Sequence, residues 1–391
     1  MLDRKRKSNK RICIVRHFDY ELLIRREAEA LQEAGFDVDV VCLGQESTGT
    51  INGVRLHRIP SSRKKGSLSR YLFNYFSFFF LVALKLTILH LRRPFACIQV
   101  NNMPDFLVFA TLIPRLLGCR VTMFMYEPTP ELWATKYKDA PYLIRLLEIV
   151  EQLSLRYAHA VFTVTEQMKQ NFASRGTATD KINVVLNVPD GRFFKDHIPD
   201  EVNPDREYFT LICHGAIEER YGHDTMVQAI DRLRSKIPNV RLHILGRGSY
   251  LDEFLAQVKA AKLEDYVQYL GWVPFSHMVT ELCQADVGIV AQKSSPYSNL
   301  VHTGKMYDYL AFGLPVLASR LKAVEAYFDH DSLCFFEPGD PDSLAEGILD
   351  LYTNPAKRRA LAENSQRLYN QYKWENQKEV YLSVYRTLLK G

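Results

Sequence analysis

The feature that most constrains this chain is an alternation of short β-branched runs with helical stretches, begun near the N-terminus, broken once and then begun again. RICIVRH (11–17) has the composition of a strand, and Leu22–Ala34 has helical spacing and stops at Gly35. FDVDVVCLG then follows as the next strand. A helix stop that feeds a strand marks a βαβ unit, and repeated units build a parallel sheet with helices on both faces. ACIQVNN (96–102), a helix over 106–117, CRVTMFMYE (119–127), a helix over 143–158, AVFTVT (160–165) and INVVLNV (182–188) continue the series. Periodicity lapses in DGRFFKDHIPDEVNPD (190–205), which is rich in Pro and Asp and reads as a linker. FTLICHG (209–215) opens the second series, which runs through VRLHILG (240–246), VQYLGWV (267–273), ADVGIVAQ (285–292) and LPVLAS (314–319) with helices between. The last segment carries Val380, Tyr381, Val384, Tyr385 and Leu388 at helical spacing. The expected fold class is α/β: two Rossmann-like doubly wound domains over 12–198 and 199–370, preceded by a basic tail (1–11). A closing helix (371–391) is expected to pack back on the first domain. Ligands of such sheets sit beyond the carboxyl ends of the strands, which puts the expected site in a cleft between the domains.

Charge narrows the partners. The formal net charge of +5 equals that of residues 1–11 alone, where six Lys/Arg face one Asp. A balanced remainder argues against a nucleic-acid-binding body and leaves the tail for phosphates or an anionic membrane. The seven cysteines are odd in number and never form CxxC, so neither a disulfide framework nor a zinc site is legible. With only ICIV as an apolar run before Arg16 and His17, no signal peptide is read, and the expected location is cytoplasmic, peripheral on the inner face of the plasma membrane. YLFNYFSFFFLVALKLTILHL (71–91) is long enough to span a bilayer, but Asn74, Lys85 and His90 interrupt it and basic residues flank both ends. A helix buried on a sheet and a helix seated in the membrane interface both remain open, with 63–93 and the tail as the expected membrane contacts.

Three loops of the second half hold residues suited to a diphosphate. In HGAIEERYGHD, Gly215 and Gly222 bracket a turn that carries Arg220 into a helix. Helix N-termini with free N–H groups and a fixed guanidinium make a phosphate cradle. LGRGS places Gly246 and Gly248 at another strand end, a weak signal on its own because tight turns use glycine for backbone reasons. Thr303 and Gly304 precede a helix with Lys305 at its start and Asp308 one turn on. Lys305 can neutralise a phosphate there, and Asp308 can accept hydrogen bonds from vicinal sugar hydroxyls; a surface Lys–Asp pair is the plain alternative.

Taken in order, HGAIEERYG, LGRG, LGWVP, ADVGIVAQ and KMYDYLAFGLPVLAS resemble the donor-binding half of a retaining GT-B glycosyltransferase of family GT4. RREAEALQEAGFDVDVVCLG and VNNMPDFLVFATLIPRLLGCRVTMFMYEPTPEL are similar to the first half of bacterial members that build surface polysaccharides or glycolipids. The resemblance implies a nucleotide-diphosphate sugar as donor, a lipid-linked or saccharide acceptor, no cofactor and no metal. It implies donor-side roles for Gly215, Arg220, Gly246, Gly248, Trp272, Val273, Thr303, Gly304, Lys305 and Asp308. Asp308 matches the family's ribose-binding acid, whereas Leu300 stands where the acid for the donor sugar is usual. The usual diphosphate clamp is replaced by Ala216 and Tyr221, which leaves Arg220 and Lys305 to share that load.

On the acceptor side, RHFDYELL replaces the family's Gly-rich loop and offers His17 and Asp19, the latter also suited to cap a helix. Tyr126 and Glu127 end a strand before Pro128; Glu127 is placed to bond an acceptor hydroxyl, and Glu131 either joins it or sits in a helix first turn. The implied reaction is sugar transfer with retention, Arg220 and Lys305 stabilising the departing diphosphate and Glu127 assisting from the acceptor side. A nucleotide-sugar 2-epimerase and a degenerate, non-catalytic nucleotide-sugar-binding scaffold are the competing readings.

Overall fold

A computed structural model describes residues 10–44, 49–60, 68–137, 139–195, 197–199 and 207–390. The tail residues 1–9, the basic positions 63–65 and linker residues 200–206 lie outside the described residues.

The chain divides into two compact units, Met1–Leu186 with Gln377–Gly391, and Asn187–Asn376. In the first unit the strands are β1 (Arg11–Val15), β2 (Asp37–Leu43), β3 (Gly49–Ile51), β4 (Val54–Ile59), β5 (Cys97–Asn101), β6 (Arg120–Met125), β7 (Ala160–Thr163) and β8 (Ile182–Val184). They form one sheet in the order β3-β4-β2-β1-β5-β6-β7-β8, parallel except for the β3–β4 pair. Every residue of β1, β5 and β7 is buried, because helices cover both faces and leave no polar side to alternate with. The β3–β4 hairpin, absent from the periodicity reading, turns at Asn52 and Gly53, both at positive φ.

Arg11 does not belong to the solvated tail. It starts β1, where its Nε and Nη2 reach Asp39 at 2.8 and 2.9 Å. Burial alone pushes the Asp39 carboxyl up, but hydrogen bonds from His57, Arg11 and Arg55 prevail and hold it well below the usual carboxylate range. The expected single helix over 106–117 is instead a 3₁₀ stretch, Asp105–Thr111, followed by a short α-helix, Leu112–Leu116. Pro114 has no N–H to donate to Ala110, so a continuous α-helical ladder cannot form there.

The second unit carries β9 (Phe209–Ala216), β10 (Val240–Arg247), β11 (Val267–Gly271), β12 (Val287–Val290), β13 (Val316–Ser319) and β14 (Cys334–Phe336). These six parallel strands lie in the order β11-β10-β9-β12-β13-β14. Its core joins β9, β10 and β12 to the helices His223–Leu233, Leu251–Ala260 and Pro341–Thr353 through Leu211, Met226, Ile230, Leu242, Phe254 and Ile348. The eighteen-residue helix Pro355–Tyr372 lies outside the sequence reading.

The boundary between units falls at 186/187 rather than 198/199, and the return at 376/377 rather than 370/371. Packing explains both shifts. Phe194 is buried and meets Phe275 and Phe312 at ring distances of 5.5 and 4.9 Å, which fixes the segment before the linker in the second unit. Trp374, 1% exposed, opens the last helix there as well. Farther along the same helix, Tyr381 donates to Gln99 Oε1 at 2.8 Å and Tyr385 donates to the same oxygen, tying its end to β5 of the first unit.

Candidate functional site

The site of the second unit grows from the carboxyl ends of β9 and β10. The two strands run in register, Gly246 opposite Gly215, and at Gly246 the approach leaves no room for a side chain. A Cβ on Gly246 would stand 1.7 Å from the Gly215 carbonyl oxygen, and one on Gly248 1.9 Å from that of Ile217. The two glycines of LGRG are therefore strand spacers, whatever ligand lies above them. Gly215, at φ +105°, has Lys305 Cε and Nζ 3.6 and 3.8 Å from where its Cβ would be. That is ordinary contact distance, so it is the positive φ rather than crowding that calls for glycine here.

Lys305 lies in the first turn of the helix Gly304–Ala311 and is only 8% exposed. Among the described residues it forms no ion pair; Nζ contacts Cys213 Sγ at 3.7 Å and stands 4.6 Å over the Tyr221 ring. A buried ammonium without a carboxylate is costly, and an anion is the partner that relieves it. Arg220 shares the same ring from its own side, with its guanidinium carbon 4.8 Å from the Tyr221 centroid and 5.7 Å from that of Tyr297. Glu218 approaches Arg220 only to 3.9 Å. Tyr221, where the family usually has a clamp cation, thus serves as the aromatic post on which two other cations rest. Thr303 occupies the N-cap position but makes no side-chain cap bond, and its buried hydroxyl lacks a hydrogen-bond partner. The Thr303 side chain does not occupy the first-turn N–H groups, which makes this helix start a candidate anion site.

Two histidines missed by the sequence reading complete the surroundings. Burial, with Lys305 nearby, pushes His214 down from 6.5 to about 3, and the same two causes bring His223 to about 3. Both are neutral at pH 7, so Arg220 and Lys305 supply the positive charge. His214 Nε2 stands 3.5 Å from Asp308 Oδ2, one helical turn beyond Lys305. Gln292, 1% exposed with neither amide atom bonded among the described residues, follows Ala291, whose carbonyl abuts Gly222. The signals available for His214 and Gln292 were the polar positions inside apolar strand runs, TLICHG and GIVAQ, and His223 follows Gly222 in the loop already singled out. Trp272 is 65% exposed at the sheet edge, under the Arg247 guanidinium at 4.4 Å, and Val273 is half-buried beside it. Neither joins the Lys305 cluster by any described contact.

The histidines also give a pH dependence. Their unfolded forms bind protons below about 6.5 while the folded forms stay neutral down to about 3, so stability is full above about 6.5 and falls as the pH drops through that window. At pH 5 each is expected to cost on the order of 2 kcal/mol. Urea unfolding of the wild type and of a His214→Gln/His223→Gln variant at pH 7 and pH 5 checks this. The variant should lose less stability on acidification, and equal losses would refute the assignment.

In the first unit, Arg16 and His17 follow β1, and Tyr126 and Glu127 follow β6. The Arg16 guanidinium, another residue missed in the sequence, lies 5.3 Å from the Tyr126 ring. Burial lowers the Arg16 pKa, and Glu27 and Glu127 are among the acids that oppose the shift. The Glu127 carbonyl accepts from Asn102 Nδ2 at 2.7 Å, and Asn102 Oδ1 accepts the Tyr126 N–H at 2.9 Å, which fixes the strand end. Tyr126 is buried with no hydrogen-bond partner for its hydroxyl among the described residues, and Glu127 is half-buried beside it.

The remaining acceptor-side positions separate. His17 is wedged edge-on between Tyr75 and Phe78, each at 4.7 Å, as part of the packing of the helix Leu68–Arg92. Asp19 is exposed and accepts the Tyr20 N–H at 2.7 Å; the helix after it, Leu22–Glu33, has Glu21 at its N-cap with no side-chain cap bond. Glu131 turns inward, 8% exposed, and accepts from Arg175 and from Asn171, the latter at 3.0 Å. Arg175 also bonds Glu151 at 3.0 Å, so Glu131 belongs to a buried charge cluster.

The profile described as "Glycosyl transferases group 1" matches residues 194–368, and "Glycosyl transferase 4-like domain" matches residues 21–187. The chain belongs to the group 1 glycosyl transferases of the GT4 type. Among curated relatives of this glycosyl transferase, the GDP-mannose-dependent alpha-(1-6)-phosphatidylinositol monomannoside mannosyltransferase of Mycolicibacterium smegmatis is 24% identical over 214 residues, covering 52% of this chain and 56% of the mycobacterial protein. The chain spans about half the length of the curated relatives it matches. Sucrose-phosphate synthase from Thermosynechococcus elongatus superposes with a TM-score of 0.78 at 18% identity, over 97% of this chain and 99% of that one. HepE of Anabaena, solved with UDP-glucose, superposes with a TM-score of 0.73 at 13% identity, over 96% and 99%. The fold is GT-B.

Proposed function

We propose that this glycosyl transferase moves a sugar from a nucleotide-diphosphate sugar to a lipid-linked saccharide acceptor with retention of anomeric configuration, in the building of a surface polysaccharide or glycolipid. The observation that carries the reading is the buried Lys305 ammonium, which lacks an ion-pair partner among the described residues and shares the Tyr221 ring with Arg220. Two cations and a helix N-terminus match the charge that accumulates on a departing diphosphate. Asp308, one turn on, suits the ribose hydroxyls.

Retention without a dedicated base fits the same surroundings. His214 and His223, held near 3, are poor proton acceptors at pH 7, which leaves the departing phosphate oxygen to take the acceptor proton. Arg16, Tyr126 and Glu127 are the groups offered to the acceptor. The donor type follows HepE, solved with UDP-glucose, and the lipid acceptor follows the mycobacterial relative, whose name specifies phosphatidylinositol monomannoside. Purified protein incubated with a panel of nucleotide sugars, with and without polyprenyl-diphosphate-linked saccharide, tests the reading. Acceptor-dependent nucleotide release is expected. Isomerised donor without acceptor would point to the epimerase, and binding without turnover to the scaffold.

A further inference from the structure

The helix Leu68–Arg92 packs on the first unit through Tyr75, Phe78, Val82 and Leu86, all buried. Its opposite face is apolar too: Phe73 is 70% exposed, Phe80 66%, Leu84 61% and Leu91 66%. Only 33% of its most apolar window is buried, so this is not a core helix. A helix apolar on all sides needs a second apolar medium to cover what the protein leaves bare.

The bare face does not stop at that helix. Phe106 of the 3₁₀ stretch stacks on Phe76 at 5.3 Å, and Phe109 meets Tyr157 at 5.1 Å, which sets the 3₁₀ stretch between the long helix and the helix Pro141–Tyr157. The short helix after it exposes Leu112, Ile113, Leu116 and Leu117. Along Pro141–Tyr157, Tyr142, Leu146, Ile149 and Leu153 form an exposed stripe. Among the described residues, fifteen of the twenty-three exposed large hydrophobic side chains fall on these three segments. The exposed charges along these faces are basic: Arg92 ends the long helix, and Arg145 and Arg156 lie in register with the stripe, while Arg93, just past the helix, is paired with Asp37. The nearby acid Glu148 is engaged by Arg145 at 2.9 Å and by Arg175 at 3.4 Å.

We propose that these three helical segments form one membrane-docking face, which seats the first unit in the headgroup–acyl boundary of an anionic phospholipid bilayer without crossing it. Burial of one side of the long helix in protein fixes it as a helix lying in the interface plane. The basic rim selects anionic headgroups. A second copy of the chain is the poorer occupant, because a two-fold pairing of this face would bring the same arginines together. The proposal extends the membrane contact expected for 63–93 to two segments that the sequence does not mark, and it is independent of the donor and acceptor assignments.

The test is co-sedimentation of the full chain with vesicles of phosphatidylcholine alone or mixed with phosphatidylglycerol. Binding should favour the anionic vesicles and weaken with salt. Arg145→Glu and Arg156→Glu should each lower partitioning about five-fold or more. Leu116→Asp/Leu146→Asp should lower it about ten-fold or more, while Leu116→Met/Leu146→Met retains it. These leucines are 73% and 56% exposed, and unchanged melting by circular dichroism will show that the variants fold. Vesicle binding that is absent, or indifferent to the Asp substitutions, overturns the proposal. So does a concentration-dependent dimer that the same substitutions break without any lipid affinity.

Discussion

Arg220→Ala is expected to lower turnover by a factor of about 10²–10³, the loss seen when a donor aimed at developing negative charge is removed. The reason is the small number of cations in the donor site. His214 and His223 are neutral at pH 7, so with Arg220 gone Lys305 is the cation of the proposed diphosphate cradle that remains among the described residues. Charge accumulates on the leaving oxygens in the transition state more than in the bound donor, and the loss should therefore fall on kcat more than on donor affinity. The Arg220 side chain is 19% exposed and rests on two aromatic rings, so the variant should melt close to the wild type. Steady-state nucleotide release at saturating donor measures the effect. Turnover within two-fold of wild type would remove Arg220 from the mechanism.

Gly246→Ala should destabilise the second unit by about 3 kcal/mol or more. At φ +141° the position is already outside the range of L side chains, and the new Cβ would overlap the Gly215 carbonyl at 1.7 Å. The obstacle is backbone in the adjacent strand, so no rotamer change relieves it; β9 and β10 must separate, and Gly215 moves with them. Gly35→Ala provides the comparison. Gly35 also has a positive φ, +85°, but nothing lies within 4 Å of its Cβ position, so only backbone strain of about 1–2 kcal/mol applies. Urea denaturation of both variants decides the matter, and equal losses would show that the strand contact carries no weight.

The residues differ in how far the chain announced their roles. Lys305 and Asp308 sit one helical turn apart behind Thr303–Gly304, and that spacing alone put both on one end of a helix. Arg220 was legible because it lies between two glycines in a strand-to-helix loop. His214 and Gln292 were hidden inside apolar runs, where a polar residue reads as an irregularity of a strand. Asn52–Gly53 is a hairpin turn that the helical and strand periodicities passed over, because β3 is only three residues long and wholly exposed. Glu131 carried a signal that pointed the wrong way: acid after proline suits a helix first turn, and nothing nearby in sequence announces Arg175, forty-four positions away.

By itself the sequence determined the alternation of most strands and helices and the two-sheet α/β class, and it pointed to the carboxyl ends of the strands as the place to look for chemistry. Those depend on local periodicity and on glycine and proline, which act over a few residues. Only the tertiary structure decided that Lys305 is buried without an ion-pair partner among the described residues, that Gly246 and Gly215 must both lack side chains, and that apolar residues from three separate segments make one exposed face. Burial, close approach and field strength are sums over groups far apart in the chain, and no window of sequence contains them.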